Sequence, residues 1–149
     1  MKIVVDTNII FSALLNSNST IGYLLFNADN AFEFYSCNYM RFELQKHWDK
    51  LLKISKLTNE NLQVSYLQVL SKLKFINEEI IPEDIWLLSE RITKDIDTDD
   101  IDFVALTIFL KATLWTGDKV LYKGLKKLEF KKLINTTELL ELRTVKRKK

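Results

Sequence analysis

Two short apolar runs lead into aspartates, and helix-patterned sequence fills the space between them. Ile3-Val4-Val5 runs into Asp6, and Thr113-Leu114-Trp115-Thr116-Gly117 runs into Asp118. Such runs read as buried strands, and strands that alternate with helices imply a parallel sheet. A carboxylate just past the C-terminal end of a strand stands in the crevice where open α/β sheets place their ligands.

The remaining pattern fits an α/β class. Three glycines and one proline punctuate the chain, so short connections and high helix content are expected. The spacing predicts a strand over Lys2–Val5 and a helix over Asn8–Leu15. A turn follows at Asn16–Ser19, then a helix from a Thr20 cap to Ala28. Ala31–Ser36 reads as a second strand. Asn38 is placed to cap a long helix through Leu52, and Thr58 one from Asn59 to Lys74. Phe75–Ile76 reads as a short edge strand. Pro82 opens a helix through Ile92, Asp95–Asp99 forms a polar loop, and Asp100–Leu110 is helical. Thr113–Thr116 is a central strand, Lys119–Lys127 a helix, Leu133–Asn135 a last strand and Thr137–Leu142 a last helix. Residues 1–143 read as one domain, and residues 144–149 as a basic, disordered tail.

Composition narrows the function classes. A single cysteine, Cys37, rules out an intramolecular disulfide and a multi-thiolate zinc site. A single histidine, His47, rules out a multi-histidine zinc site and reads as a helix-surface residue. No apolar run approaches the roughly 20 residues of a membrane span, and no secretion signal is visible after Lys2, so a cytoplasmic protein is expected. Charge is uneven: 11 Lys+Arg stand against 17 Asp+Glu up to Asp118, and 11 against 3 beyond it. An acidic centre with a basic C-terminal segment suits a protein that holds cations and approaches a polyanion.

Four acids carry the chemistry: Asp6, Glu43, Asp100 and Asp118. Each has a plain structural reading. Asp6 and Asp118 are placed to cap helices. Glu43 could pair with Lys46 or His47 on a helix surface. Asp97, Asp99, Asp100 and Asp102 crowd one helix start, where one or two would satisfy the macrodipole. Four like charges there cost energy without a counter-ion, and a hard divalent cation is the natural reason to gather them. Asn8 and Thr7 could orient Asp6 or touch a metal-bound water, and Gly117 permits a tight bend before Asp118. Asp95-Ile96-Asp97-Thr98 matches the Asp-x-Asp-x-Thr pattern of haloacid-dehalogenase-type phosphatases. The first aspartate of that chemistry must end a strand, whereas Leu87–Ile92 reads as helix.

These motifs resemble, in order, those of the PIN-domain nucleases. Ile3-Val4-Val5-Asp6-Thr7-Asn8-Ile9-Ile10 resembles the family's opening strand and acidic turn. Tyr39-Met40-Arg41-Phe42-Glu43-Leu44 is similar to the helix bearing its second acid. Asp99-Asp100-Ile101-Asp102-Phe103-Val104-Ala105-Leu106 resembles the third motif, with Asp100 as the key acid. Leu114-Trp115-Thr116-Gly117-Asp118-Lys119 resembles the fourth. Leu51–Ile92 carries no such likeness.

The resemblance implies a three-layer α/β/α sandwich around a mostly parallel sheet. It implies Mg²⁺- or Mn²⁺-dependent hydrolysis of RNA by Asp6, Glu43, Asp100 and Asp118, with Asn8, Asp97, Asp99 and Thr116 in support. It also implies a toxin of a toxin–antitoxin pair, an antitoxin protein as partner, and a homodimer as a common assembly. Which of Asp97, Asp99 and Asp102 assists Asp100 stays open. The competing readings are a non-catalytic RNA- or protein-binding module on the same fold and a Mg²⁺-dependent phosphatase.

Overall fold

The computed structural model describes residues 1–28 and 30–148, the last three of them by backbone alone. Five parallel strands form one sheet in the order β3-β2-β1-β4-β5. They are β1 (Lys2–Val5), β2 (Glu33–Cys37), β3 (Leu73–Ile76), β4 (Thr113–Trp115) and β5 (Leu133–Ile134). Ile3, Val4 and Val5 are fully buried, as are Leu114 and Trp115. The two central strands are thus covered on both faces, which is why their sequences do not alternate. Val5 sits in register with Trp115, so Asp6 and Asp118 emerge from neighbouring strands at the same edge.

Helices cover both faces in an α/β/α sandwich. α1 (Thr7–Leu15) packs against α2 (Thr20–Phe26), α3 (Asn38–Lys46), α4 (Trp48–Ser55) and α5 (Asn59–Leu70). α6 (Glu83–Thr93) packs on α7 (Ile101–Leu110), and α7 lies across β1, β2 and β4. Phe103 to Thr107 are buried without a break, because α7 is enclosed by sheet on one side and helix on the other. α8 (Lys119–Lys127) packs beside β5, and α9 (Thr136–Lys148) reaches back to α2. No single helix among the described residues is long and apolar enough to cross a membrane.

Several boundaries differ from the sequence reading, each for a physical reason. Ser19, not Thr20, caps α2 through its hydroxyl. The long helix expected from Asn38 to Leu52 breaks at His47, whose backbone leaves the helical region. α5 stops at Leu70, so β3 begins at Leu73 rather than Phe75. A 3₁₀ turn over Thr98–Asp100, capped by Asp97, precedes α7, which starts at Ile101. α9 runs to Lys148, which corrects both the short helix over Thr137–Leu142 and the tail as far as that residue. No glycine or proline interrupts it, and the Thr144 hydroxyl donates to the Leu140 carbonyl at 2.9 Å. Lys149 lies outside the described residues.

Candidate active site

The strand order defines where a site belongs. From β1 the chain winds outward through β2 and β3, then returns to the other side of β1 for β4 and β5. The crevice between the ends of β1 and β4 is the topological switch point, the preferred ligand position of such sheets. Asp6 and Asp118 flank it.

Asp6 serves two ends at once. Its Oδ1 accepts from the Ile9 N–H at 3.1 Å and caps α1. Its Oδ2 is buried and has no hydrogen-bond partner, although the residue is only 1% exposed. Asp118 caps α8: its Oδ1 accepts from the Val120 and Leu121 N–H groups at 2.9 and 3.2 Å. Its own N–H donates to the buried Thr116 hydroxyl at 3.0 Å, which fixes the turn. Gly117 meets no backbone demand: its φ is not positive, and a Cβ there would touch only Ile9 at 3.6 Å.

Asp100 and Asp97 reach the same place from the turn before α7. Oxygens of Asp97, Asp100 and Asp118 lie within 4.8 Å of one another. Asp100 also leaves a buried Oδ2 with no partner. The loop bearing Asp97 is held against α8 by Ile96, which fills the space over Gly124, where a Cβ would come within 2.8 Å. Glu43 projects from α3 and accepts from the Thr7 hydroxyl at 2.6 Å. Thr7 therefore orients Glu43 rather than Asp6, while Asn8 is exposed on the first turn of α1. Of the three candidates beside Asp100, Asp97 is the one grouped with it; Asp99 borders Glu43, and Asp102 faces Cys37 and Glu78.

The electrostatics follow from crowding in a dry place. Burial raises Asp6 from the ordinary carboxylate range to about 7, assisted by Asp118 and Glu43 and opposed by the Thr116 hydroxyl and the Ile9 N–H. Burial raises Asp100 to about 8, with Asp97, Asp6, Asp118 and Glu43 adding repulsion. Glu43 is also raised, first by burial, while the Thr7 hydrogen bond pulls it down. A buried carboxylate oxygen without a partner is costly unless a cation or proton reaches it. The donor set is entirely oxygen, which fits a hard divalent ion and not a soft one.

A second acidic group has a structural task. Glu78 accepts from the Asn38 and Tyr39 N–H groups at 2.8 and 2.9 Å and so caps α3 from outside its own helix. Burial, then the charges of Glu78 and Glu43, raise its neighbour Asp102 to about 6. Burial, with Glu78 and Asp102 beside it, pushes the Cys37 thiol up to about 12. This thiol is a core group and not a nucleophile.

The sequence matches the PIN domain model over residues 4–146. The chain belongs to the PIN-domain family. Solved folds agree. A chain of VapBC2 from Rickettsia felis, in a structure bound to a DNA fragment from their promoter, superposes with a TM-score of 0.62 at 20% identity. That match covers 91% of this chain and 97% of the other. PAE2754 from Pyrobaculum aerophilum superposes with a TM-score of 0.68 at 15% identity, covering 97% and 90%. No curated protein matches the sequence. PIN domains are typically nucleases that use divalent metal, so a hydrolase is the coarse class this membership supports.

Two participants have no local signal in the sequence. Thr7 reads in sequence as a partner of Asp6 or of a metal-bound water, because its partner in the fold, Glu43, lies 36 residues away. Glu78 lies in the stretch that carried no likeness to the family. Lys119 and Lys123 line a cleft of about 270 Å³ beside Asp118, walled by Tyr122, Asn135 and Thr136. The two lysines belong to the basic segment beyond Asp118 that the charge distribution assigns to a polyanion.

Proposed function

We propose that this PIN-domain protein is a Mg²⁺- or Mn²⁺-dependent ribonuclease and the toxin of a toxin–antitoxin pair. The observation that carries the metal centre is the pair of buried, unpartnered oxygens, Asp6 Oδ2 and Asp100 Oδ2, the second of them in the group that Asp100 forms with Asp97 and Asp118. Asp6, Asp100 and Asp118 would hold the ion, with Glu43 and Asp97 at its side. When bound, the ion lowers the pKa of water and neutralises charge on the phosphoryl oxygens.

The chain's own groups do the rest. Thr116 and the first turn of α8 fix Asp118 through its N–H and its Oδ1, leaving its second oxygen for a ligand. The α1 cap fixes Asp6 in the same way. Such rigid placement lowers the cost of assembling the transition state. Water attacks phosphorus in line, the bond from phosphorus to the 3′-oxygen breaks, and that oxygen takes up a proton. The products are a 5′-phosphate and a 3′-hydroxyl. Lys119 and Lys123 favour approach of the polyanion on the Asp118 side. Fold likeness to a chain of the VapBC2 structure supports an antitoxin partner.

The test is cleavage of single-stranded RNA by purified protein. Activity is expected with Mn²⁺ or Mg²⁺ and none with EDTA, and Asp118→Asn should lose at least about 100-fold. Undiminished cleavage by Asp118→Asn would sink the assignment. Growth arrest on expression, relieved by the product of a neighbouring gene, tests the toxin reading. Unimpaired growth with soluble, metal-competent protein counts against it.

A further inference from the structure

An acidic centre repels the strand it is meant to cut, and the two flanks of this one are unlike. On the β4–β5 side the cleft beside Asp118 carries Lys119 and Lys123. On the β2–β3 side stands α3, which exposes Arg41, Gln45 and Lys46 and, beside Glu43, one aromatic ring. Phe42 immediately precedes Glu43 and is 62% exposed, more than any other aromatic ring among the described residues. Tyr39 lies one turn before both, so it neighbours Phe42 on one side and Glu43 on the other and links the exposed ring to the acid. The Tyr39 and Phe42 rings stack, with centroids 6.0 Å apart and planes inclined by 24°. Burial raises the Tyr39 phenol, and Glu43, Asp99, Asp102 and Asp100 add to the effect, so the stack borders the acids. Arg41, on the same helix, is held over the Phe75 ring at 3.7 Å from its centroid.

We infer that Phe42, backed by Tyr39, is a stacking platform for a nucleobase of the RNA strand next to the scissile phosphate. The inference rests on the ribonuclease reading and adds how substrate is held on the flank away from Lys119 and Lys123. Near so many carboxylates, affinity through phosphate contacts is weak. Base–aromatic stacking does not depend on net charge, and every base offers a π-face. Phe42 is supported on a helix by a second ring, so little freedom is lost when a base settles on it. The sheet order then sets the path of the strand: across the lysines by Asp118, over the acids, and onto Phe42.

The experiment measures binding apart from cleavage. The wild-type protein is loaded with Ca²⁺ in place of Mn²⁺, which takes the same hard oxygen ligands and holds cleavage off, and is titrated with single-stranded RNA oligonucleotides, each lacking the base at one position. The series is repeated with Phe42→Leu, which keeps an apolar side chain and removes the π-face. Intact RNA should bind Phe42→Leu about 10-fold more weakly, Phe42→Trp should restore binding, and an unchanged melting temperature would show the fold intact. One abasic position should weaken binding to the Phe42 protein and cost nothing further in Phe42→Leu, because both changes remove one contact. Additive losses at every position, or equal binding by Phe42→Leu, would overturn the platform. Absence of RNA binding by both proteins would overturn it together with the ribonuclease reading. Binding with the expected coupling, but no cleavage by the wild type with Mn²⁺, would keep the platform and remove the enzyme.

Discussion

Asp6 and Asp100 are held where an unpaired charge is unwelcome, and that fixes a pH dependence. Their folded values, about 7 and about 8, stand above the ordinary aspartate value of 3.8. The protonated form is therefore favoured by folding. This contribution is complete below about pH 4 and is lost as pH rises through 7 and 8. With EDTA present, the melting temperature should fall across that window, and Asp100→Asn should flatten the fall. At pH 8 this variant should melt roughly 2–4 °C above the metal-free wild type, on the order of 1 kcal/mol after allowance for partial exposure. A wild-type curve no steeper than that of Asp100→Asn would show that these carboxyls are not strained. At this scale the sequence displayed the acids but not their surroundings. Asp6 and Asp118 were legible because they end apolar runs. That Asp97, rather than Asp99 or Asp102, joins Asp100 depends on a 3₁₀ turn and on Ile96 docking over Gly124, and neither has a local pattern.

α3 is the element on which the site depends most and the one least visible in sequence. It was expected to begin with an Asn38 cap, yet its first N–H groups are met by Glu78, 40 and 39 residues further on. Glu78→Ala should cost about 1–2 kcal/mol, a fall of roughly 3–6 °C in melting temperature. It should also lower RNA cleavage, because α3 carries Glu43. If stability were unchanged in Glu78→Ala, the cap would contribute nothing. The end of α3 was equally hidden, since no glycine or proline stands near His47. α4 is tied to α5 instead: the Trp48 indole donates to Asn59 at 2.8 Å and its ring packs edge-on to Tyr66. Such tertiary anchors override a continuous helical pattern. Elements whose burial is enforced on all sides, β1, β4 and α7, lay close to where their sequences put them.

At the scale of the molecule, alternation of strand and helix gave the class, and the crossing back over β1 gave the crevice. Part of the uneven charge acquires a place as well, since Lys119 and Lys123 of α8 line the cleft beside Asp118, whereas Arg143 of α9 is tied to the Asn27 carbonyl at the end of α2. Changing Lys119 and Lys123 to Gln should weaken RNA binding at low salt. It should also reduce the log–log salt slope by about 1.4, from roughly 0.7 per phosphate on a single strand. An unaltered slope would move the phosphate contacts elsewhere. The central claim is that acids from four separate parts of the chain form one divalent-cation centre. Thermal unfolding with and without Mn²⁺, at matched ionic strength, tests it most directly. A ligand at 100 times its Kd stabilises the native state by about 2.7 kcal/mol, so the wild type should melt several degrees higher with Mn²⁺. Asp6→Asn, Asp100→Asn and Asp118→Asn should each gain far less. An equal rise in the wild type and all three variants would contradict the account.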